Sequence, residues 1–292
     1  MSYVEWLKEE TLVINGTTRL YGIIGNPVSH SLSPVMHNRA FKALGLNGVY
    51  VPMQVREMNE TVVQGLAALG FIGISVTVPH KETVMDFLDE IDPVARKIGA
   101  VNTLLFRVHP ETGVVVSRGF NTDWLGSNLA LSEKIALPGS RVLILGAGGA
   151  SRAVGFGLVE AGAEVMISNR SEDRGSELAE WLGCRFCSRN QLAGIQADAL
   201  VNTTSVGMAP KADALPIDPD LLGNFSVVMD IVYAPLKTAL LKQAAASGCR
   251  TIDGLAMLLY QGAVQFKIWT GRQAPQKLMR ESLLAALGCE ET

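Results

Sequence analysis

The sequence has little cysteine, little histidine and only a modest share of charged residues. Its 292 residues include four cysteines and four histidines, and charged residues make up 18% of the chain. The cysteines are too few and too scattered for a disulfide scaffold. Cys184 and Cys187 form a lone C-x-x-C without a second pair of ligands, and the histidines (30, 37, 80 and 109) form no cluster. We therefore expect no metal site.

The charge and hydropathy of the chain also exclude several partners. A net charge of −3 lacks the basic excess typical of proteins that bind nucleic acid. No apolar run approaches the ~20 residues that a membrane helix needs. Glu5, Glu9 and Glu10 lie where a signal peptide would be basic and then apolar. We expect a cytoplasmic protein that binds neither nucleic acid nor a membrane.

Short apolar runs alternate with helical stretches along the chain, which predicts α/β layers. We expect strands over 20–24, 49–53 and 73–78, a β-hairpin over 101–118, and helices over 33–44, 58–69, 81–88 and 93–98. Ser33 before Pro34 is typical of a helix N-cap. A helix is expected from Trp124, followed by strands over 141–145, 164–168, 199–202, 227–231 and 250–252. The tail over 255–287 is predicted to be helical.

These elements predict two domains, in keeping with the length of the chain. We expect an amino-terminal α/β substrate domain over 1–120 and a Rossmann-type domain with a parallel sheet over 121–255. The carboxy-terminal helices over 256–292 would pack back on the first domain. An active site would then lie in the cleft between the domains.

A glycine-rich turn follows the predicted strand that begins at Arg141. This turn, which has the residues Gly146, Ala147, Gly148, Gly149 and Ala150, precedes a predicted helix, the setting in which it indicates dinucleotide binding. Gly146 permits the tight turn, and Gly148 lets the backbone approach a pyrophosphate at the helix N-terminus. Ser151 departs from the usual pattern, which has glycine or alanine at that position.

The end of the next strand indicates which dinucleotide is bound. NAD-binding proteins usually carry an acidic residue there, which binds the ribose 2′-hydroxyl. Here the strand is followed by Asn169, Arg170 and Ser171, with Arg174 one helical turn later. Two guanidinium groups suit a 2′-phosphate, so we predict NADP, although Glu172 and Asp173 lie close by.

Four polar segments of the first half have no evident structural need. Residues 29–34 present hydroxyl groups at a helix N-terminus, which can hold a carboxylate. Residues 75–81 end a strand with a hydroxyl and an amine, and residues 99–103 and 119–123 add an amide and a carboxylate.

With these segments, the sequence resembles the shikimate dehydrogenase family essentially from end to end. The matching stretches lie at 26–34, 76–81, 99–103, 121–123, 146–151, 169–170, 202–208, 230–233 and 253–261. The resemblance implies an oxidoreductase that reduces 3-dehydroshikimate to shikimate with NADPH, and catalyses the reverse reaction, in the biosynthesis of chorismate and the aromatic amino acids. A homodimer is one option for its assembly.

The resemblance also assigns roles to residues. It implies that Lys81 is the general acid/base, paired with Asp123, and that Ser31 and Ser33 hold the substrate carboxylate. The residues implied to bind the substrate hydroxyls are Thr77, Asn102, Asp123, Tyr233 and Gln261. It adds Ile231 and Gly254 to the cofactor-binding residues.

Three departures from the family pattern leave the substrate open. Ser75 and Ala234 replace residues that are usually or frequently asparagine, and Ala256 replaces a glycine. The alternative is a quinate/shikimate dehydrogenase-like paralogue, or an aminoshikimate-type one, that uses NAD or NADP. A nucleotide-binding regulator without catalysis is a third hypothesis, which the presence of Lys81 and Asp123 disfavours.

Overall fold

Two six-stranded sheets, with helices packed around them, organise the protein. The structure, a computed structural model, describes residues 14–289. Glu5, Glu9 and Glu10, on which part of the compartment prediction depends, lie outside the described residues.

The first sheet is mixed. Its strands are β1 (Arg19–Gly25), β2 (Gly48–Gln54), β3 (Phe71–Val76), β4 (Glu90–Ile91), β5 (Thr103–Val108) and β6 (Val115–Phe120). They lie in the order β2-β1-β3-β5-β6-β4, and the predicted hairpin is the antiparallel pair β5 and β6. The helices of this half are α1 (Ser33–Ala43), α2 (Glu60–Ala68) and α3 (Pro93–Ile98).

The second sheet is parallel throughout. Its strands are β7 (Arg141–Leu145), β8 (Glu164–Ser168), β9 (Arg185–Phe186), β10 (Ala197–Asn202), β11 (Phe225–Asp230) and β12 (Arg250–Ile252). Its helices are α4 (Asp123–Ser132), which leads into it, α5 (Gly149–Glu160), α6 (Glu172–Leu182) and α7 (Ala239–Ala246). The strand order β12-β11-β10-β7-β8-β9 is that of a doubly wound dinucleotide-binding sheet, in which β7 and β10 flank the switch point. The predicted fold class is confirmed.

The last two helices pack against the first half of the chain. They are α8 (Gly254–Thr270) and α9 (Gln276–Ala286). Their apolar side chains, including Phe266, Trp269 and Met279, share one buried cluster with Tyr21 and Phe41 of the first half. This packing holds α8 beside the first sheet, while its N-terminus adjoins the end of the second.

Three predictions about the helices were wrong. Residues 81–88 form no α-helix: a short 3₁₀ helix covers Thr83–Phe87, because the Lys81 carbonyl accepts the Val101 N–H at 2.7 Å and so does not enter a helical bond. Ser33 is not the N-cap but the first residue of α1. The tail is two helices, since Gly271 (φ +70°) ends α8. The short strands β4 and β9 were missed.

Within residues 14–289, no helix combines the length and apolar character that a membrane crossing requires. The same stretch contains no cluster of three or more His, Cys, Asp or Glu side chains that could hold a metal ion. All four cysteines are free thiols, and burial raises the pKa of Cys184 to about 11.

A buried histidine makes the stability of this fold depend on pH. His37 is fully buried in α1 and stacks on Tyr50, with ring centroids 4.6 Å apart. Burial lowers the pKa of His37 from 6.5 to about 3, so between these values the unfolded chain binds a proton that the folded chain does not. The stabilisation due to neutral His37 is therefore complete above pH 6.5 and is lost as the pH falls towards 3.

We predict that the His37→Leu variant loses this part of the pH dependence. Over that range the free energy of unfolding of the variant should depend on pH less steeply than that of the parent. The difference between the two slopes should be ~1.4 kcal/mol per pH unit. Urea denaturation at a series of pH values measures the difference. Equal slopes in the two proteins would show that His37 does not resist protonation in the folded state.

Candidate active site

A cleft of about 260 Å³ lies between the first sheet, the second sheet and α8. It brings together every side chain that the sequence analysis assigned to catalysis or substrate binding. These residues are Ser31, Ser33, Thr77, Lys81, Asn102, Asp123, Tyr233 and Gln261. Ala150, Ile231 and Gly254, assigned to the cofactor, line the same cleft. Residues that are up to 230 positions apart in sequence thus share one site.

Lys81 and Asp123 form an ion pair at the wall of this cleft. The Lys81 Nζ lies 2.7 Å from the Asp123 Oδ2, and the two side chains are 23% and 9% exposed. Asp123 is the first residue of α4, where the helix N-terminus favours a negative charge, and its backbone N–H donates to the Asn121 Oδ1. The pair therefore presents an ammonium group whose position is set by a nearly buried carboxylate.

The second oxygen of this carboxylate is held by Asn102. The Asn102 Nδ2 donates to the Asp123 Oδ1 at 2.8 Å, and the Thr122 N–H donates to the Asn102 Oδ1 at 2.8 Å. These bonds orient the Asn102 amide, because its oxygen must face the N–H group and its nitrogen the carboxylate. Both oxygens of Asp123 thus have donors within the protein.

Hydroxyl groups from α1 and β3 form the opposite wall. Ser33 is buried in the first turn of α1, and the Ser31 Oγ accepts the Ser33 N–H at 3.3 Å. Neither serine caps α1, because its N-cap is Leu32 and the helix has no side-chain cap hydrogen bond. Thr77 directly follows β3 and is half-buried. The wall offers several hydroxyl donors beside the open end of a helix, which suits an anionic group.

Helix α8 supplies the side-chain amide of Gln261 on the third side of the cleft. Gln261 is mostly buried, and its Nε2 donates to the Leu258 carbonyl at 2.9 Å. The approach of α8 to α4 depends on Gly126, where a Cβ atom would lie 2.8 Å from the Gln261 backbone nitrogen. A side chain at residue 126 would push Gln261 and its helix away from α4.

The loop after β11 carries Ile231 and Tyr233 to the cleft. Buried Asp230 anchors this loop by accepting bonds from the Thr238 Oγ1 at 2.7 Å and the Val232 N–H at 3.0 Å. Burial raises the pKa of Asp230 and that of the Tyr233 phenol. Tyr233 therefore presents a neutral hydroxyl to the cleft.

The glycine turn connects β7 to α5 at the switch point of the second sheet. Gly146 has φ +124°, and a Cβ there would lie 2.6 Å from the Thr203 Oγ1 and 2.9 Å from the Ser151 Oγ. Ser151 accepts the Gly148 N–H at 3.2 Å and donates to Thr203, whose hydroxyl donates to the Leu145 carbonyl. The unusual serine thus joins the turn to the strand across the switch point.

The turn fits a pyrophosphate group. No atom lies within 4 Å of where a Cβ of Gly148 would stand, and Gly149 has only the Glu82 Oε1, at 3.8 Å. This open space lies at the N-terminus of α5, where the first N–H groups have no partner within their own helix.

The residues assigned to a 2′-phosphate lie at the carboxyl end of β8. The Asn169 Nδ2 donates to the Ser171 carbonyl at 2.9 Å, which shapes the loop into α6. Arg170 and Arg174 are exposed, and in the part of the chain that is described neither makes an ion pair. Glu172 and Asp173, the acidic residues nearest to this loop in sequence, occupy the first turn of α6, where acidic residues stabilise a helix.

Some residues of the cleft were not predicted as site residues. Gln265 was missed, although it lies four residues after Gln261 and so on the same face of α8. Ser75, noted only as a departure from the family pattern, also lines the cleft. His80 does not: it is buried, and its Nε2 donates to the Val55 carbonyl at 2.7 Å.

A larger recess, of about 590 Å³, lies at the opposite, amino end of the second sheet. Its lining includes Arg141, Glu164 and Arg185. Ligands of such sheets bind at the carboxyl ends of the strands, so the smaller cleft is the candidate active site.

Comparison with known proteins matches three parts of the chain to models of one enzyme family. Residues 23–104 match the shikimate dehydrogenase substrate binding domain, residues 128–208 the shikimate / quinate 5-dehydrogenase family, and residues 254–284 the shikimate 5′-dehydrogenase C-terminal domain. The chain is 45% identical over 282 residues to a shikimate dehydrogenase (NADP⁺) of Methanosarcina acetivorans, covering 92% of this chain and 99% of that one.

Solved structures that resemble this one belong to the same family. One is a shikimate dehydrogenase in complex with NADP⁺, at 40% identity and a TM-score of 0.87, covering 94% of this chain and 98% of its own. Another is the Thermus thermophilus shikimate 5-dehydrogenase in complex with NADP(H) and shikimate. It has 39% identity and a TM-score of 0.84, covering 92% of this chain and all of its own.

Two glycine substitutions should separate the role of the turn in stability from its role in dinucleotide binding. Gly146→Ala should lower the melting temperature, because the new methyl group meets Thr203 and the backbone conformation is strained. Gly148→Ala, which faces open space at φ −100°, should keep the parental melting temperature but weaken dinucleotide binding. Calorimetry and a binding titration on both variants check this. Undiminished affinity in Gly148→Ala would mean that the pyrophosphate binds elsewhere.

Proposed function

The chain belongs to the shikimate dehydrogenase family, and we propose that it catalyses the reversible, NADP-dependent reduction of 3-dehydroshikimate to shikimate. The observation that carries this proposal is the Lys81–Asp123 ion pair, at 2.7 Å, in a cleft lined by hydroxyl and amide groups and bordered by the glycine turn. An acid/base pair, a polyol-binding wall and a dinucleotide turn at one cleft are the parts that such a reaction requires.

In this proposal the substrate is held by groups on three sides. Ser31 and Ser33 hold the carboxylate at the N-terminus of α1, and the hydroxyls are bound by Thr77, Asn102, Asp123, Tyr233 and Gln261. The resulting orientation places the carbonyl oxygen of 3-dehydroshikimate against Lys81. Holding the reactants in one geometry contributes much of the acceleration in reactions of this kind.

NADPH, when bound, supplies the hydride that reduces the carbonyl carbon. The Lys81 ammonium donates the proton to the developing alkoxide and stabilises its charge. Asp123 keeps the ammonium group aimed at this oxygen. In the reverse direction the neutral amine of Lys81 takes the proton from the substrate hydroxyl.

The proposed cofactor site comprises the turn 146–150, the loop after β8 and the loop after β11. The helix N-terminus binds the pyrophosphate, Asn169, Arg170, Ser171 and Arg174 bind the ribose 2′-phosphate, and Ile231 and Gly254 border the nicotinamide. The absence of an ion partner for either arginine in the described residues supports this role, since both guanidinium groups are available to an anion.

The division into a substrate domain (1–120), a nucleotide domain (121–255) and returning helices (256–292) belongs to the proposal as well. The separate sheets support it. A cytoplasmic location is supported by four unpaired thiols, which suit a reducing compartment. A homodimer stays a prediction that light scattering would test.

The assay that tests this function compares shikimate and quinate, each with NADP⁺ and NAD⁺. We expect the highest kcat/KM with shikimate and NADP⁺. A preference for quinate would support the paralogue hypothesis, for which Ser75 in the cleft is the structural reason. No turnover of any polyol acid would contradict an enzymatic role.

We predict that Lys81→Met lowers kcat by a factor on the order of 10²–10⁴, the usual value of general acid–base assistance. Methionine keeps the apolar stem but removes the ammonium group. Affinity for NADP⁺ should barely change, and the KM for shikimate should change less than kcat. Steady-state kinetics and a cofactor titration measure these effects. A near-normal kcat would assign the proton to another group.

We predict that Arg170→Asp weakens NADP⁺ binding far more than NAD⁺ binding, because a carboxylate repels the 2′-phosphate and can accept from a 2′-hydroxyl. Dissociation constants for both cofactors check this, and Arg189→Asp, on the 3₁₀ helix Arg189–Gly194, serves as the matched control. Equal loss for both cofactors would remove Arg170 from the 2′-phosphate site.

A further inference from the structure

A line of buried hydrogen bonds extends from the acid/base pair to the far wall of the cleft. It runs from Asn102 through Thr103, Gln265 and Ser75 to Tyr50, and all five side chains are buried. None of these groups is charged. Their bonds join β2, β3, β5 and α8, so the line connects elements that meet only in the folded protein.

The direction of each bond is determined by the chemistry of its partners. The Gln265 Nε2 lies 3.2 Å from the Asn102 backbone carbonyl, which can only accept, and this orients the Gln265 amide. The Gln265 Oε1 must then accept from the Ser75 Oγ at 2.9 Å, and Ser75 in turn accepts from the Tyr50 hydroxyl at 2.7 Å.

The same reasoning orients the other branch. The Gln265 Nε2 also donates to the Thr103 Oγ1 at 2.9 Å, so the Thr103 hydroxyl directs its own proton to the Asn102 Oδ1 at 2.7 Å. Asn102 is thereby left with its Nδ2 towards the Asp123 Oδ1. Gln265 thus holds both the backbone and the side chain of the residue that donates to Asp123.

We propose that Gln265 is a positioning residue for the proton transfer: it sets Asn102, which sets the Asp123 carboxylate, which aims the Lys81 ammonium group. The proposal rests on the proposed function. Without the Gln265 donor, the Asn102 carbonyl keeps the Val76 N–H at 2.8 Å, but the buried Thr103 Oγ1, which donates to the Asn102 Oδ1, loses a donor that orients it. A shift of even 1 Å at a catalytic group can cost about 10²-fold in rate.

Two substitutions of Gln265 test which end of its amide matters. Gln265→Met keeps the length and loses both functions, whereas Gln265→Glu keeps an acceptor for Ser75 but, when ionised, has no donor for Asn102 and Thr103. The matched control is Thr270→Val, on the same helix, which removes a hydroxyl that donates to the Phe266 carbonyl at 2.7 Å and accepts the Arg272 N–H at 3.1 Å.

We expect both Gln265 variants to lower kcat for shikimate oxidation by about 10-fold to 100-fold. Their dissociation constant for NADP⁺ should change much less, because the cofactor-binding groups stay in place. The KM for shikimate should rise by a smaller factor than kcat falls, because Asn102 and Asp123 are only two of the groups proposed to bind the substrate. Thr270→Val should lower the melting temperature without this loss of kcat. Kinetics well below the melting temperature of each variant separate stability from rate.

An independent variant covers the case in which a Gln265 substitution does not fold. Thr103→Val is isosteric and interrupts the line one step nearer to Asn102, so it should lower kcat as well. The double variant Thr103→Val with Gln265→Met should lose less kcat than the product of the two single fold-losses, because both substitutions interrupt the same path.

The proposal would be overturned if Gln265→Met or Thr103→Val kept the parental kcat. It would also be overturned if Gln265→Glu were as active as the parent, because Gln265 would then serve only as an acceptor for Ser75. These outcomes differ from a failure of the proposed function, in which the parent protein itself would not oxidise shikimate.

Discussion

The burial of the Asp123 carboxylate is the constraint on which the site depends. A charge that is largely removed from water is costly unless donors surround it. Here Lys81 and Asn102 each donate to one carboxylate oxygen, at 2.7 and 2.8 Å. Because these three residues lie before β4, before β5 and at the start of α4, the ion pair forms only when the first sheet and α4 are both in place.

The cleft also requires close contact between parts that are distant in sequence. Helix α8 joins them, since Gly126 lets it approach α4, while Phe266 and Trp269 bury it against the first sheet. A second contact crosses near the glycine turn, where the Arg152 Nε donates to the Ile98 carbonyl at 3.0 Å and its guanidinium covers the Trp181 ring. The turn that suits a pyrophosphate is thus held beside the segment that leads to Asn102.

Most strands could be predicted because their residues carry the signal locally. The apolar runs of β5 and β7 indicate strands whatever they pack against. The helix expected over 81–88 failed because a single bond from Val101 to the Lys81 carbonyl, between distant residues, overrides local preference. Ser33 failed as an N-cap because the Met36 N–H donates to the Leu32 carbonyl at 3.3 Å, which makes Leu32 the N-cap and places Ser33 inside the helix.

The sequence by itself determined the fold class, the glycine turn and the chemical types of the site, because glycine spacing, strand periodicity and the order of polar motifs are local properties of the chain. It also pointed to Lys81 and Asp123 through family resemblance. Only the tertiary structure decided the line through Gln265 and the role of Ser151. A hydrogen bond needs its partners within about 3 Å and suitably directed, and no local pattern encodes a distance between residues that are 162 positions apart.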